Sequence, residues 1–277
     1  MLHNLDIDNI ILAALKEDMP LGDITTDNLI DRNSKSQAML IAKENGVIAG
    51  LDVAERVFKL LDAGVTFKRL INDGDDIVYG TLIAEIEGNT GALLKAERTA
   101  LNFLQRLSGI ATETRKYCDR VKGLDVRIVD TRKTTPGLRM LEKYAVRVGG
   151  GNNHRFCLSD GVLVKDNHIK AAGGIKNAVE ILRRSIPHTI KIEVETESLE
   201  QVEEAIEAKA DIIMLDNMKP DMIKEAVRLI AGRALVELSG NVNLDTVRDL
   251  ADTGVDIISV GKITHSAGAL DISMRFV

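Results

Sequence analysis

A chain of 277 residues is long enough for one large domain or two ordinary ones, and 45% hydrophobic against 28% charged residues excludes a disordered, collagen-like or low-complexity polymer. Its 36 basic and 42 acidic residues give a net charge of −6, and five Phe, three Tyr and no Trp offer little for bases to stack on, which excludes nucleic acid and anionic membrane as general partners. No apolar run reaches the ~18 residues of a membrane span, and Met1-Leu2-His3-Asn4 lacks the cationic and apolar character of a signal peptide.

Along the chain, Ile7, Ile10, Ile11, Ala14 and Leu15 recur at helical spacing, and Pro20, Gly22 and Asp23 mark a loop behind them. Residues 36–42 read as extended, with Gly46 and Gly50 following. Residues 51–61 read as a helix, and 65–71 and 77–86 as strands separated by the Asp73-Gly74-Asp75-Asp76 turn. From residue 91 to 107 a long amphipathic helix is expected, breaking at Gly109 and resuming to Lys122. This half reads as α+β with mostly antiparallel strands.

From residue 126 the texture changes. Short aliphatic runs at 126–130, 161–164, 190–194, 211–215, 234–238 and 256–260 alternate with helical stretches. The last four end near Glu195, Asp216, Ser239 and Gly261, in steps of 21, 23 and 22 residues, the length of a strand, a helix and two short loops. Continuous apolar strands such as Ile212-Ile213-Met214-Leu215 suit a parallel sheet covered on both faces. With no Gly-x-Gly-x-x-Gly opening the first βα turn, a barrel is preferred to an open dinucleotide-binding sheet, and six strands make it an incomplete one.

The strand ends carry Thr131-Arg132-Lys133, Lys165, Glu195, Asp216-Asn217, Ser239-Gly240-Asn241 and Val260-Gly261-Lys262. Each alone is an ordinary solvated polar residue. Together they converge on the end of the sheet where barrels place ligands, and cations beside two carboxylates suit an anionic substrate with a hard divalent ion. Glu195 and Asp216 are the candidate magnesium carboxylates, one βα unit apart. Alternation puts Lys191, Glu193 and Glu195 on one face; Glu195 is preferred as the one nearer the mouth. Thr134 or Thr135 is expected to cap a helix with Pro136 at its first position, beside an anion-attracting Arg132-Lys133 pair. Ser239-Gly240-Asn241 and Val260-Gly261-Lys262 fit a phosphate-binding pair of loops.

Gly149-Gly150-Gly151-Asn152-Asn153-His154-Arg155 reads either as a phosphate cradle or as a plain connection. His154, Cys157 and His168 have only superficial metal-ligand spacing. Cys118 reads as a core thiol, and two cysteines are too few for a disulfide framework, which points to a reducing cytoplasm. No Gly-x-Ser-x-Gly elbow, P-loop or His-Glu-x-x-His motif occurs.

Several strings are more specific. Ala96-Glu97-Arg98-Thr99-Ala100-Leu101-Asn102, Asp130 to Arg139, Asn153-His154-Arg155, Lys165-Asp166-Asn167-His168, Met214-Leu215-Asp216-Asn217, Ser239-Gly240-Asn241 and the closing Leu270 to Phe276 resemble the quinolinate phosphoribosyltransferase family, in order and from Glu17 to the carboxyl end. The resemblance implies a type II phosphoribosyltransferase, a pentosyltransferase of NAD biosynthesis that uses quinolinate, 5-phosphoribosyl 1-pyrophosphate and magnesium. It implies an α+β sandwich-like amino-terminal domain, residues 1–108 joined by the tail 267–277, followed by a partly open TIM-like α/β barrel, residues 109–266. It also implies a cytoplasmic homodimer with shared active sites, with higher assembly left open.

By the same resemblance, Arg98 reaches the partner subunit's site, joining Arg132, His154, Arg155 and Lys165 around quinolinate. Thr131, Lys133, Glu195 and Asp216 hold the phosphoribosyl pyrophosphate and its metal, with Lys133, Glu195 and Asp216 as the catalytic set. Its 5-phosphate rests on Ser239, Gly240, Asn241, Val260, Gly261 and Lys262. Lys262 departs from the small residue of many relatives, so only a backbone role transfers there. The rival readings are a paralogue with another heterocyclic acceptor and a non-catalytic anion-binding or transport-associated relative; the intact cation set argues against both.

Overall fold

The computed structural model describes residues 4–277, with side chains from Ile7 onward; Met1-Leu2-His3, read above as unlike a signal peptide, lies outside them. The first elements are α1 (Asn4–Asp18), α2 (Ile24–Leu29), β1 (Lys35–Ala42), β2 (Gly46–Val47), α3 (Leu51–Leu61), β3 (Thr66–Arg69), β4 (Asp76–Ile77), β5 (Leu82–Asn89) and α4 (Thr90–Arg120). Then β6 (Arg127–Val129), α5 (Arg139–Val148), β7 (Val162–Val164), α6 (Asp166–Ala172), α7 (Ile175–Ser185), β8 (Ile192–Thr196), α8 (Leu199–Glu207) and β9 (Ile212–Asp216) follow. The chain closes with α9 (Pro220–Ile230), β10 (Leu235–Ser239), α10 (Val247–Ala251), β11 (Ile257–Ser259), α11 (Lys262–His265) and β12 (Ile272–Phe276).

Two compact units result. One comprises Met1–Arg115, Thr134–Gly150 and Ile263–Val277, the other Lys116–Lys133 and Gly151–Lys262. The domains expected from the sequence were 1–108 with 267–277, and 109–266; in this division residues 109–115, 134–150 and 263–266 group with the first unit.

In the first unit, β12, β1, β5 and β3 form an antiparallel sheet in that order. The closing strand pairs Ile272 with Ala42 and Phe276 with Ala38, so the tail is built into this sheet. Helix α3 buries Val53, Ala54, Val57 and Phe58, and the Asp73 carboxylate accepts from the N–H groups of Gly50 and Leu51 at its start. Buried Glu142 holds Arg106, whose guanidinium also donates to the carbonyls of Thr264 and Ala267.

Four local expectations are corrected. Helix α4 runs through Gly109 without a break, because the glycine is there for space: a Cβ would collide with the carbonyl of Gly268. The strand expected over 77–86 is two, since Gly80 turns the chain at φ +88° between β4 and β5. The loop after Pro20 contains α2, whose start is set by the Asp23 carboxylate accepting from Thr25 and Thr26 N–H. Thr134 and Thr135 cap nothing, and Pro136 precedes the helix. Helix α5 starts at Arg139 behind Leu138, while Thr134 Oγ1 accepts from Arg139 Nε and Thr135 N–H donates to Glu142.

The second unit is one six-stranded, all-parallel sheet in the order β6-β11-β10-β9-β8-β7. All six strands read from the sequence are present. Edge strand β6 is met by Asn152, which bridges to Val129 through hydrogen bonds with Ile128 and Asp130; the glycine-rich stretch before it is therefore a built connection. At the amino end of the sheet a device repeats. The carboxylates of Asp211 and Asp256 accept at 2.7 Å from N–H groups at the start of the preceding strands, those of Ile192 and Val236. No helix among the described residues is long and apolar enough to cross a membrane.

Candidate active site

The candidates cluster at the carboxyl ends of the parallel strands, and all but Arg98 lie in the second unit. Arg98 lies on α4 within the first unit and is exposed.

At the end of β6, Asp130 is fully buried and organises the neighbouring loop. Its carboxylate accepts from Asn153 Nδ2 at 2.6 Å and from the His154 N–H at 2.9 Å. Thr131 Oγ1 accepts from the Lys133 N–H at 3.0 Å, turning the chain so that Arg132 and Lys133 follow the strand end directly. Arg155 donates from its guanidinium to the carbonyl of Gly161 at 2.8 Å. Burial first, then repulsion from the Arg132 guanidinium, holds Arg155 below the usual arginine range, with Glu193 opposing. Arg132 and Arg155 are therefore close enough to repel, an arrangement that an anion between them relieves.

Lys165 ends β7 and opens α6, where its main-chain N–H donates to His168 Nδ1. Its ammonium is 3.2 Å from Glu195 Oε2. Glu195 and Asp216 are half-buried on adjacent strands, and register pairs Glu195 with Met214, so Asp216 stands two residues further on the same face of β9. Asp216 Oδ2 accepts from Asn217 Nδ2 at 2.7 Å, and Asn217 Oδ1 accepts from Asn241 Nδ2 at 3.2 Å. Asn217 and Asn241 both have positive φ, and Gly240 lies at φ +95° where a Cβ would collide with Asn217. Ser239, Gly240 and Asn241 thus form a tight turn locked to Asp216. Val260 donates its N–H to Val129 at 2.9 Å, tying the Val260-Gly261-Lys262 turn to β6, and Lys262 is exposed.

Two parts of the pattern differ from expectation. Lys191 precedes β8 and is exposed, so the interior face of that strand carries Glu193 and Glu195 without it. Cys118 is half-buried rather than fully enclosed, and Cys157 contacts Ser159 at 3.1 Å. The group with metal-ligand proximity among the described residues is instead His154, Glu193 and Glu237, whose ligand atoms lie within 4.8 Å of one another.

Glu237 is the residue the sequence reading missed. His154 Nε2 is 3.1 Å from Glu193 Oε2 and 3.6 Å from Glu237 Oε2, and both carboxylates are buried. Burial, then the Glu193 charge, pushes Glu237 up to about 8, against the pull of His154. Its signal was a lone acid inside the aliphatic run Leu235-Val236-Glu237-Leu238, where an apolar residue costs nothing and a carboxyl needs a reason.

Two family models match, described as quinolinate phosphoribosyl transferase, N-terminal domain over residues 23–108 and C-terminal domain over residues 110–275. A probable nicotinate-nucleotide pyrophosphorylase [carboxylating] from Synechocystis sp. is 48% identical over 98% of this chain and 92% of its own length. A quinolinate phosphoribosyltransferase [decarboxylating] from Nicotiana glauca is 42% identical over 98% and 82%. A crystal structure of NadC from Streptococcus pyogenes superposes with a TM-score of 0.97 at 47% identity, covering 100% of this chain and 98% of that one.

Proposed function

Because the chain belongs to the quinolinate phosphoribosyltransferase family, we propose that it joins quinolinate to 5-phosphoribosyl 1-pyrophosphate, releasing nicotinate mononucleotide, pyrophosphate and carbon dioxide in NAD biosynthesis. The observation that carries the reading is one strand-end rim holding Arg132, Lys133, Arg155 and Lys165 beside Glu195 and Asp216.

Arg132, Arg155 and Lys165, with His154 behind them, take the dicarboxylate, because planar guanidinium forks match carboxylates and the repulsion between the arginines falls when an anion binds. The pyridine nitrogen attacks the anomeric carbon as pyrophosphate leaves, through an oxocarbenium-like state that needs positioned charge more than a side-chain nucleophile. Lys133, beside Thr131, neutralises the departing pyrophosphate, and Lys165 is handed between Glu195 and the substrate. Ser239, Gly240, Asn241, Val260, Gly261 and Lys262 seat the 5-phosphate on main-chain N–H groups, with no side-chain role for Lys262. Once ribosylated, the cationic pyridinium stabilises the carbanion left by loss of the 2-carboxylate, which a solvent proton then quenches; no dedicated base is needed.

Glu195 and Asp216, hard oxygen donors on adjacent strands, fit magnesium, which would supply further charge neutralisation at the pyrophosphate. The working unit is a cytoplasmic homodimer in which Arg98 of each chain completes the other's site.

Purified protein with magnesium, phosphoribosyl pyrophosphate and carboxyl-labelled quinolinate should release carbon dioxide and nicotinate mononucleotide in equal amounts. Binding of phosphoribosyl pyrophosphate without either product would point to another acceptor; binding of neither compound would point to a non-catalytic role. Mixing Arg98→Ala with Lys165→Ala chains should restore activity in heterodimers, and uncomplemented loss would make the site self-contained.

A further inference from the structure

Glu193 and Glu237 stand beneath the rim against His154, and Glu237 is also hydrogen-bonded to Ser259 and Glu193. Each keeps one carboxyl oxygen, Oε1, buried without a hydrogen-bond partner. Two buried acids against one imidazole resemble a metal site, and the 3.1 and 3.6 Å separations suit shared ligands as well as a hydrogen bond. The other ring nitrogen decides between them. His154 Nδ1 lies 2.7 Å from the main-chain nitrogen of Arg155, whose N–H can only donate. Nδ1 therefore presents its lone pair and the ring proton resides on Nε2. A metal at Nε2 needs the opposite tautomer. In this arrangement Nε2 faces Glu193 as donor and Nδ1 accepts from the Arg155 N–H. The charged groups facing it include Glu193 and Glu237, with Asp130 on its main-chain N–H and Arg155 next in the chain.

Resting on the quinolinate reading of the rim, we propose that Glu193 and Glu237 are positioning residues for the dicarboxylate subsite: they hold His154 as its Nε2–H tautomer, and Nδ1 then fixes the main chain of Arg155 and with it the direction of the guanidinium. His154 on this account orients an arginine and gives neither ring nitrogen to the substrate. Glu237, held at about 8, acts as a neutral carboxyl, while Glu193 accepts the ring proton's hydrogen bond.

The test combines kinetics of the magnesium-loaded enzyme with NMR of its histidine rings. Glu237→Ala should raise KM for quinolinate about tenfold while leaving kcat and the KM for phosphoribosyl pyrophosphate nearly unchanged, and the isosteric Glu237→Gln should restore it. Parallel loss of kcat and both KM values in folded Glu237→Ala, or a Glu237→Gln as impaired as the alanine variant, would overturn the proposal. In the wild-type protein the ring resonances that vanish in His154→Asn should show a neutral imidazole with its proton on Nε2. An imidazolium, an Nδ1–H ring, or a shift of these resonances on adding magnesium or zinc alone overturns it equally, and this readout stands even if Glu237→Ala does not fold. Because the NMR needs no turnover, an enzyme inactive on quinolinate would sink the functional reading and leave the tautomer assignment separately decided.

Discussion

The two ends of the parallel sheet use the same residue types for opposite purposes. At the amino end, Asp211 and Asp256 each accept from a strand N–H, and Asp211 also pairs with Arg183 at 2.6 Å. These acids close the ladder where the backbone would otherwise leave donors unmatched. Inside the strands, one residue past those N–H groups, Glu193 and Glu237 are more deeply buried yet each leaves an oxygen unmatched, and at the carboxyl end Glu195 and Asp216 spend theirs on Lys165 and Asn217. An acid that accepts from the sheet's own N–H groups secures the fold. An acid buried at a cost, among side chains that can exchange partners, marks the site.

That contrast can be broken most forcefully at the rim. Lys133→Ala and Glu195→Ala should each lower turnover roughly a hundred- to thousand-fold, the scale of removing one transition-state charge partner, with the urea midpoint unchanged. Near-normal turnover would take that residue out of the chemistry. Gly240→Ala should combine both kinds of effect. A side chain at φ +95° against Asn217 costs about 1–3 kcal/mol of stability and should weaken phosphoribosyl pyrophosphate binding, so loss of stability alone would remove the turn from the site.

At the amino end the expectation reverses. Asp256→Ala should cost about 1–3 kcal/mol in urea unfolding by orphaning the Val236 N–H, and Asp211→Ala somewhat more because Arg183 is also stranded, with kcat and both KM values preserved. Altered kinetics there would dissolve the distinction between the ends. A pH trend tests the same contrast from the buried acids. A carboxyl raised from its ordinary 4.5 to about 8 keeps its proton in the folded state after the unfolded chain has lost it, so Glu237 makes folding progressively less favourable as pH rises through that window. The melting temperature of Glu237→Gln should therefore gain on wild type from about pH 5 to pH 8 and level off above; a constant gap would mean that Glu237 ionises normally.

Much of this was legible in one dimension. The steps from Glu195 to Gly261 counted out the βα units, and the aliphatic runs gave all six parallel strands, because strand burial is a local pattern repeated along the chain. The strand-end cations and carboxylates followed, since the end of a parallel strand is known once the strand is. Gly109 was misread for the converse reason: helix propensity is local, whereas the need for a missing Cβ is set by Gly268, 159 residues away in the chain. Thr134 and Thr135 likewise matched a capping pattern, yet their hydrogen bonds go to Arg139 and Glu142.

The sequence by itself determined the alternation of elements, the rim and the chemistry its charges suit. Only the tertiary structure decided which acids are structural, and that His154 stands on Glu193 and Glu237, because the partners of a buried polar atom come from strands far apart in the chain and are chosen by the sheet's order.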